Sequence, residues 1–296
     1  MERILLIGAN GQLGSDLRKV LPAASLIPLT RADLDVADET AAERALAAHA
    51  PAWVINTAAY HRVDDIETKD ALLAYAVNDA AVGRVARSCA RRGARLLHLS
   101  TDYVFGGGSP GNPPRPYPED ASPAPLSVYG ASKLAGERQV RAASPGHIVV
   151  RSSGLYGIAG SAGKGGNFVE TMLRLARAGK DIEVVDDQVL APTYTADLAE
   201  AIARLIAVDP PGGIYHLTNG GACSWFRFAR RIFELAGLAP RLSPTTSAQY
   251  KDRAPAPRPP YSVLANARAA ALGLPPLRPW PEALDAYLRA KGHLAR

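Results

Sequence analysis

The chain has 296 residues, 47% apolar and 21% charged, which excludes a disordered protein and leaves room for one large domain or two smaller ones. Its net charge of +6 is scattered in pairs such as Arg91-Arg92 and Arg230-Arg231, without the basic face that nucleic-acid binding needs. No apolar run is long enough to cross a bilayer, and Met1-Glu2-Arg3 leads straight into a strand-like run, so the expectation is a cytoplasmic protein with no membrane partner.

Arg3–Ile7 reads as a buried strand that ends in Gly8-Ala9-Asn10-Gly11-Gln12-Leu13-Gly14 and gives way to a helix reaching Leu21. A glycine turn between strand and helix lets a diphosphate approach the backbone, where the helix start offers free N–H groups and the positive end of its dipole. Gly8, Asn10, Gly11, Gln12, Leu13 and Gly14 are therefore candidate dinucleotide contacts, although the first glycine gap is one residue longer than in G-x-G-x-x-G. A second strand, Ser25–Leu29, runs into Thr30-Arg31, where NAD-binding chains place an acid for the ribose hydroxyl. Arg31 instead suits a 2′-phosphate, so NADPH is expected with NADH tolerated; Asp35 is a candidate on the adenine side.

A helix near Glu39–His49 precedes the strand Trp53–Asn56, which delivers Thr57-Ala58-Ala59-Tyr60 to the edge where open α/β sheets bind ligands. The small side chains there make Ala58, Ala59 and Tyr60 cofactor candidates. A single helix is predicted over Asp70–Arg92, with Asn78 placed to steady a catalytic lysine. The strand Arg95–Leu99 leads to Ser100-Thr101-Asp102-Tyr103, hydroxyls suited to hold a substrate carbonyl. Gly106–Pro125, with seven prolines and four glycines, reads as a loop acting as a flap.

Ser127 is placed to cap a helix bearing Tyr129 and Lys133, which share one face at i and i+4. A close ammonium is expected to lower the phenol's pKa and make Tyr129 a usable proton donor. The next strand is His147–Arg151. Beyond it the pattern predicts a glycine-rich segment Ile158–Asn167 containing Lys164, helices over Asn167–Ala178, Thr195–Ala207, Ser224–Ala236 and Trp280–Ala290, and strands at Ile182–Val185 and Gly213–Leu217, the latter rejoining the main sheet. Ser243–Tyr261 reads as extended. Cys89 and Cys223 lack the spacing of a disulfide framework or a zinc site. The repeated strand–helix alternation predicts an α/β fold, a Rossmann-type doubly wound parallel sheet with a smaller C-terminal α/β substrate-binding domain. The boundaries are 1–153 for the NAD(P)-binding domain, with returning segments near 187–217, and 154–296 for the substrate domain.

Gly8-x-x-Gly11-x-x-Gly14, Asn56-Thr57-Ala58-Ala59, Ser100-Thr101 and Tyr129-x-x-x-Lys133, in that order, resemble the extended short-chain dehydrogenase/reductases. More narrowly, Ala59-Tyr60-His61-Arg62-Val63-Asp64, Ser100-Thr101-Asp102-Tyr103-Val104-Phe105, Val128-Tyr129-Gly130-x-x-Lys133, Asn167-Phe168, Asp187-Gln188 and Arg258-Pro259-x-Tyr261 are similar to motifs of the dTDP-4-dehydrorhamnose reductase family, over the whole length of the chain. The resemblance implies reduction of a 4-keto nucleotide-sugar by Thr101, Tyr129 and Lys133, with the tyrosine as acid and the lysine on the nicotinamide ribose. It implies substrate contacts from Val63, Asp102, Tyr103, Gly154, Asn167, Phe168 and Gln188, and Arg258 and Lys164 are nominated for the anionic end.

Family reductases often carry a tryptophan after Arg-[Ser/Thr]-Ser, whereas Arg151-Ser152-Ser153 is followed here by Gly154, which opens the question of the sugar. Tyr103 stands where the related 4,6-dehydratases have a glutamate, which disfavours elimination. Another 4-ketoreductase, a 4-epimerase and a non-catalytic nucleotide-binding subunit are the alternatives. A homodimer is compatible with the family; Asp16 is the one match to a metal-bridging acid, and no metal is expected.

Overall fold

Six short apolar runs form one parallel sheet: β1 (Ile4–Ile7), β2 (Leu26–Leu29), β3 (Trp53–Asn56), β4 (Arg95–Thr101), β5 (Ile148–Ser152) and β6 (Gly213–His216), in the spatial order β6-β5-β4-β3-β1-β2. The computed structural model describes residues 2–108, 111, 114–160 and 166–294. The twofold period of a strand sends Ile4 and Leu6 into one apolar layer and Leu5 and Ile7 into the opposite one. Helices Gln12–Val20 and Thr195–Ala207 cover the first face, and Ala41–His49, Ala81–Arg91 and Val128–Ala143 cover the second. Strands buried on both faces read as continuous apolar runs, which is why they stood out in the sequence. Pro28 is accommodated because β2 lies at the sheet edge.

A separate apolar cluster joins Phe168–Arg177, Trp225–Ala236 and Trp280–Ala290 around Tyr156, Leu173, Phe228, Ile232 and Tyr287. Three two-stranded ladders border it: Leu155–Tyr156 with Thr193–Tyr194, Val189–Leu190 with Cys223–Ser224, and Ile182–Val185 with Leu242–Thr245.

Three predicted segments differ. The helix expected over Asp70–Arg92 is divided into Ala71–Tyr75, a π turn over Ala76–Ala80 and Ala81–Arg91, and the π turn carries the fully buried Asn78. Such bulges concentrate at functional sites because they re-aim a side chain. Of the proline-rich loop expected to act as a flap, no described residue borders the ligand cleft. A Gly106–Pro125 bridge ties its ends together, and Tyr117 stacks on Phe105 at 4.3 Å and donates from its N–H to the Val263 carbonyl at 2.8 Å. Within Ser243–Tyr261, expected to be extended, Thr246 and Gln249 form a reciprocal cap on a helical turn, Ser247–Tyr250. Lys164 lies outside the described residues.

Candidate active site

The chain places β2 on one side of β1 and β3 on the other, so the carboxyl ends of β1 and β3 form the crevice where an open α/β sheet binds its ligand. Gly8 ends β1 at φ +83°, and a Cβ there would lie 2.7 Å from Thr57 Oγ1 at the end of β3. A Cβ on Gly14 would lie 2.2 Å from the Gly8 carbonyl oxygen, so hydrogen alone lets the helix pack this close to the turn. The helix it opens has no acidic residue in its first turn to compete for the free N–H groups. These features fit a bound dinucleotide, with its diphosphate on the turn.

A cleft of about 1290 Å³ runs from this turn to Gln188, Trp225 and Arg258. One drug-sized ligand occupies roughly 300–1,000 Å³, so the cleft has room for two ligands end to end. Every described residue nominated for cofactor or substrate contact borders it, except Gly14 and Asn78. Gly14 supports the turn from behind. Asn78 makes no hydrogen bond to Lys133; its amide accepts from Tyr60 N at 2.9 Å and donates to Tyr60 O at 2.8 Å and Ser132 Oγ at 3.0 Å, fixing the main chain at the cleft wall.

Thr101 ends β4, and Ser127 caps the helix Val128–Ala143 by accepting from Gly130 N at 3.1 Å. This helix lies so close to the end of β4 that a Cβ on Gly130 would meet the Tyr103 carbonyl oxygen at 2.2 Å. Tyr129 and Lys133 thereby face Thr101 across the cleft floor. The Tyr103 ring meets Tyr129 edge to face, 5.6 Å between centroids.

Burial, only partly offset by the nearby Glu137 anion, brings Lys133 down to about 8. Its ammonium donates to the Leu99 carbonyl at 2.7 Å and lies 3.2 Å from Nε2 of the buried His98. Two of its three N–H groups are thus engaged, leaving one for a ligand hydroxyl. Tyr129 departs from expectation: burial raises its pKa above the ordinary phenol value, a hydrogen bond with Thr101 opposes the rise, and the Asp102 charge adds to it. The i, i+4 spacing does put phenol and ammonium on one face, but the ammonium is drawn onto the β4 backbone. At neutral pH the phenol therefore holds its proton, the state an acid needs.

Asp102 is buried with its carboxylate accepting from Thr101 Oγ1 at 3.1 Å, Ser153 Oγ at 2.8 Å and Ser262 Oγ at 2.6 Å. Burial raises its pKa, and these three hydroxyls pull the other way. These bonds anchor it beside Thr101, where it also borders the cleft. Behind it lies a network that sequence reading missed: Glu137 accepts from Ser100 Oγ at 2.5 Å and takes Arg151 in a fork at 2.9 and 2.6 Å, both side chains at most 2% exposed.

Other nominated side chains are also partly committed. Asn167 uses its amide to cap Phe168–Arg177 and to bond Gly157 O and Tyr287 Oη, each at 3.0 Å. Gln12 accepts from Gly157 N at 3.0 Å, and Gln188 donates to Ser247 Oγ at 2.9 Å. Arg258 pairs with Asp64 at 2.8 Å beside the Tyr103 hydroxyl, whose pKa burial pushes up to about 12. Arg31 is the least committed, its side chain 85% exposed and only loosely paired with Asp35 at 3.3 Å. Asp16 is buried and bonded to Lys19 Nζ and Thr195 Oγ1, each at 2.7 Å, and among the described residues no group of three or more His, Cys, Asp or Glu is arranged to hold a metal.

A glycine turn at the sheet's switch point, with a hydroxyl, a phenol and a buried lysine across a two-ligand cleft, defines a Rossmann-fold short-chain dehydrogenase/reductase. The chain belongs to the family of the RmlD substrate binding domain, whose profile matches residues 1–292. It is 45% identical to the dTDP-4-dehydrorhamnose reductase of Mycobacterium tuberculosis over 98% of this chain and 93% of that protein. The crystal structure of dTDP-4-dehydrorhamnose reductase from Bacillus anthracis in complex with NADP superposes with a TM-score of 0.89 at 37% identity, covering 98% of this chain and 99% of the other. A dTDP-4-keto-6-deoxy-D-glucose reductase of Streptomyces niveus is 37% identical over 96% of this chain and 95% of its own length.

Proposed function

We propose that this protein reduces the 4-keto group of dTDP-4-dehydro-L-rhamnose to give dTDP-L-rhamnose, with NADPH preferred and NADH accepted. The observation that carries this reading is the meeting of Thr101, Tyr129 and Lys133 in one cleft between a dinucleotide turn and the half of the chain beyond residue 153, the proposed substrate domain. The bound reduced nicotinamide supplies the hydride. Thr101 turns its one O–H from Asp102 to the carbonyl oxygen and holds it in place, and Tyr129 gives its proton to that oxygen as negative charge develops there. Lys133, with one N–H still free, orients the nicotinamide ribose and keeps positive charge beside the reacting groups. In this reading the enzyme works in the cytoplasm on a soluble nucleotide-sugar, and a homodimer is compatible with it.

The defining assay follows NADPH oxidation with that nucleotide-sugar and identifies the product; absence of turnover by the wild type overturns the reading. Gly154, together with the Streptomyces niveus relative, favours a second one in which another 4-keto-6-deoxy sugar on the same nucleotide is the natural substrate. Comparing kcat/KM across the two sugars separates them.

Arg31→Ala is expected to cut the ratio of NADPH to NADH kcat/KM by about tenfold, the scale of one hydrogen bond to a charged group. An unchanged ratio removes Arg31 from the 2′-phosphate site. The pH profile follows from Lys133. Reduction needs both Tyr129 and Lys133 protonated, and the lysine, brought down to about 8, loses its proton first. The kcat/KM for reduction should therefore hold at neutral pH and fall as pH rises through about 8. A profile flat to pH 9.5 would contradict this assignment.

A further inference from the structure

Gly154 follows β5 at φ +53°, and a Cβ there would meet Leu190 Cδ1 at 2.7 Å and the Pro192 Cα at 3.2 Å. A side chain here would have to push the Leu190 tip aside and press on the Pro192 backbone, in a left-handed conformation that favours glycine. Beyond those atoms, 3.7 Å from the same point, lies the edge of the Trp225 ring, carried in from a different part of the fold. Trp225 begins the helix Trp225–Ala236, whose first turn is fixed by Ser224 accepting from Arg227 N at 3.1 Å. Phe168 packs against the indole with centroids 4.5 Å apart. Both rings are half-buried and border the cleft, and Trp225 also walls a small recess shared with Asp102, Tyr103, Gly154 and Arg258.

This recess adjoins the reacting groups, since Tyr103 forms one wall and packs directly on Tyr129. The Trp225 indole belongs to the same lining. A pyranose whose C4 carbonyl reaches Tyr129 would bring one edge to this recess, which the polar Arg258 and Tyr103 and the apolar indole line together. A deoxygenated sugar carbon has no hydrogen bond to lose there, whereas a hydroxymethyl group would give up water for an aromatic face.

We propose that Trp225 is a specificity-determining residue: its indole, admitted by the bare Gly154, packs against the 6-deoxy edge of the substrate sugar. This rests on the nucleotide-sugar reading above. The position is held by two anchors independent of any ligand, the Ser224 cap and the Phe168 ring, so the wall exists before substrate arrives.

The test compares binding of dTDP, dTDP-L-rhamnose and NADPH by calorimetry in wild type, Trp225→Ala, Trp225→Leu and Trp225→Phe. In the wild type the sugar should tighten binding over dTDP alone, and Trp225→Ala should erase about tenfold of that difference, the scale of a lost aromatic contact. Affinities for dTDP and NADPH should stay within about twofold, and Trp225→Phe should recover part of the loss. Parallel loss of dTDP and NADPH affinity would make the indole a structural prop and overturn the proposal, as would an unchanged sugar increment in both Trp225→Ala and Trp225→Leu. Failure of the wild type to turn over the proposed substrate while still discriminating dTDP-L-rhamnose from dTDP would instead overturn the function reading.

Discussion

Tyr129→Phe should lower kcat for 4-keto reduction by about 10²–10⁴-fold, the contribution of a positioned general acid, while the KM for the nucleotide-sugar moves by no more than a few-fold. The substitution removes one oxygen from a ring that is otherwise retained, so the edge-to-face packing on Tyr103 at 5.6 Å persists. Thr101 remains anchored through Asp102, and Lys133 remains on the Leu99 carbonyl. What disappears is the proton that must reach the developing alkoxide. Steady-state NADPH oxidation, with the melting temperature as a control for folding, measures the effect. Turnover near the wild-type rate would assign the proton to another group, and loss of NADPH affinity alongside kcat would show that the phenol positions the cofactor as well.

The residues that make this prediction were legible in the sequence because each belongs to a local pattern. Gly8 and Gly14 sit at fixed offsets between a strand and a helix, Thr101 ends an apolar run, and Tyr129 and Lys133 share a helix face behind a serine cap. Spacing does not say where a charge points. Lys133 was expected to lower the Tyr129 pKa, yet its ammonium is claimed by a carbonyl two residues before Thr101 and by His98, contacts across more than thirty residues of chain. The same limit hid Glu137, Arg151 and Trp225, which acquire meaning only when β5 and the helix Trp225–Ala236 are brought against the cleft. Asn78 was singled out for the right neighbourhood and the wrong partner, because a π turn rotates its amide toward Tyr60. Periodicity reads a continuous helix there, since one extra residue in a turn barely alters the apolar pattern.

The buried pair behind β4 carries the second large effect. Glu137→Gln should cost about 3–5 kcal/mol of folding stability, because it leaves the Arg151 guanidinium buried without a counter-charge. Arg151 has little elsewhere to turn: Phe105 lies under it at 5.0 Å and His216 Nε2 at 3.4 Å, neither of them an anion. For a chain of this length the loss corresponds to a fall in melting temperature on the order of 10 °C. The double variant Glu137→Leu with Arg151→Met removes both charges and should recover most of the stability, since breaking a buried pair is worse than replacing it. The same carboxylate also reaches the chemistry. Its negative charge raises the Lys133 pKa against the burial that depresses it, so neutralising residue 137 should carry the lysine further down and shift the alkaline limb of kcat/KM to lower pH. Stability and pH limb are independent readouts of one side chain. Denaturation midpoints unchanged in Glu137→Gln would refute the pairing argument, and a limb that stays in place would disconnect Glu137 from Lys133 while leaving its structural role intact.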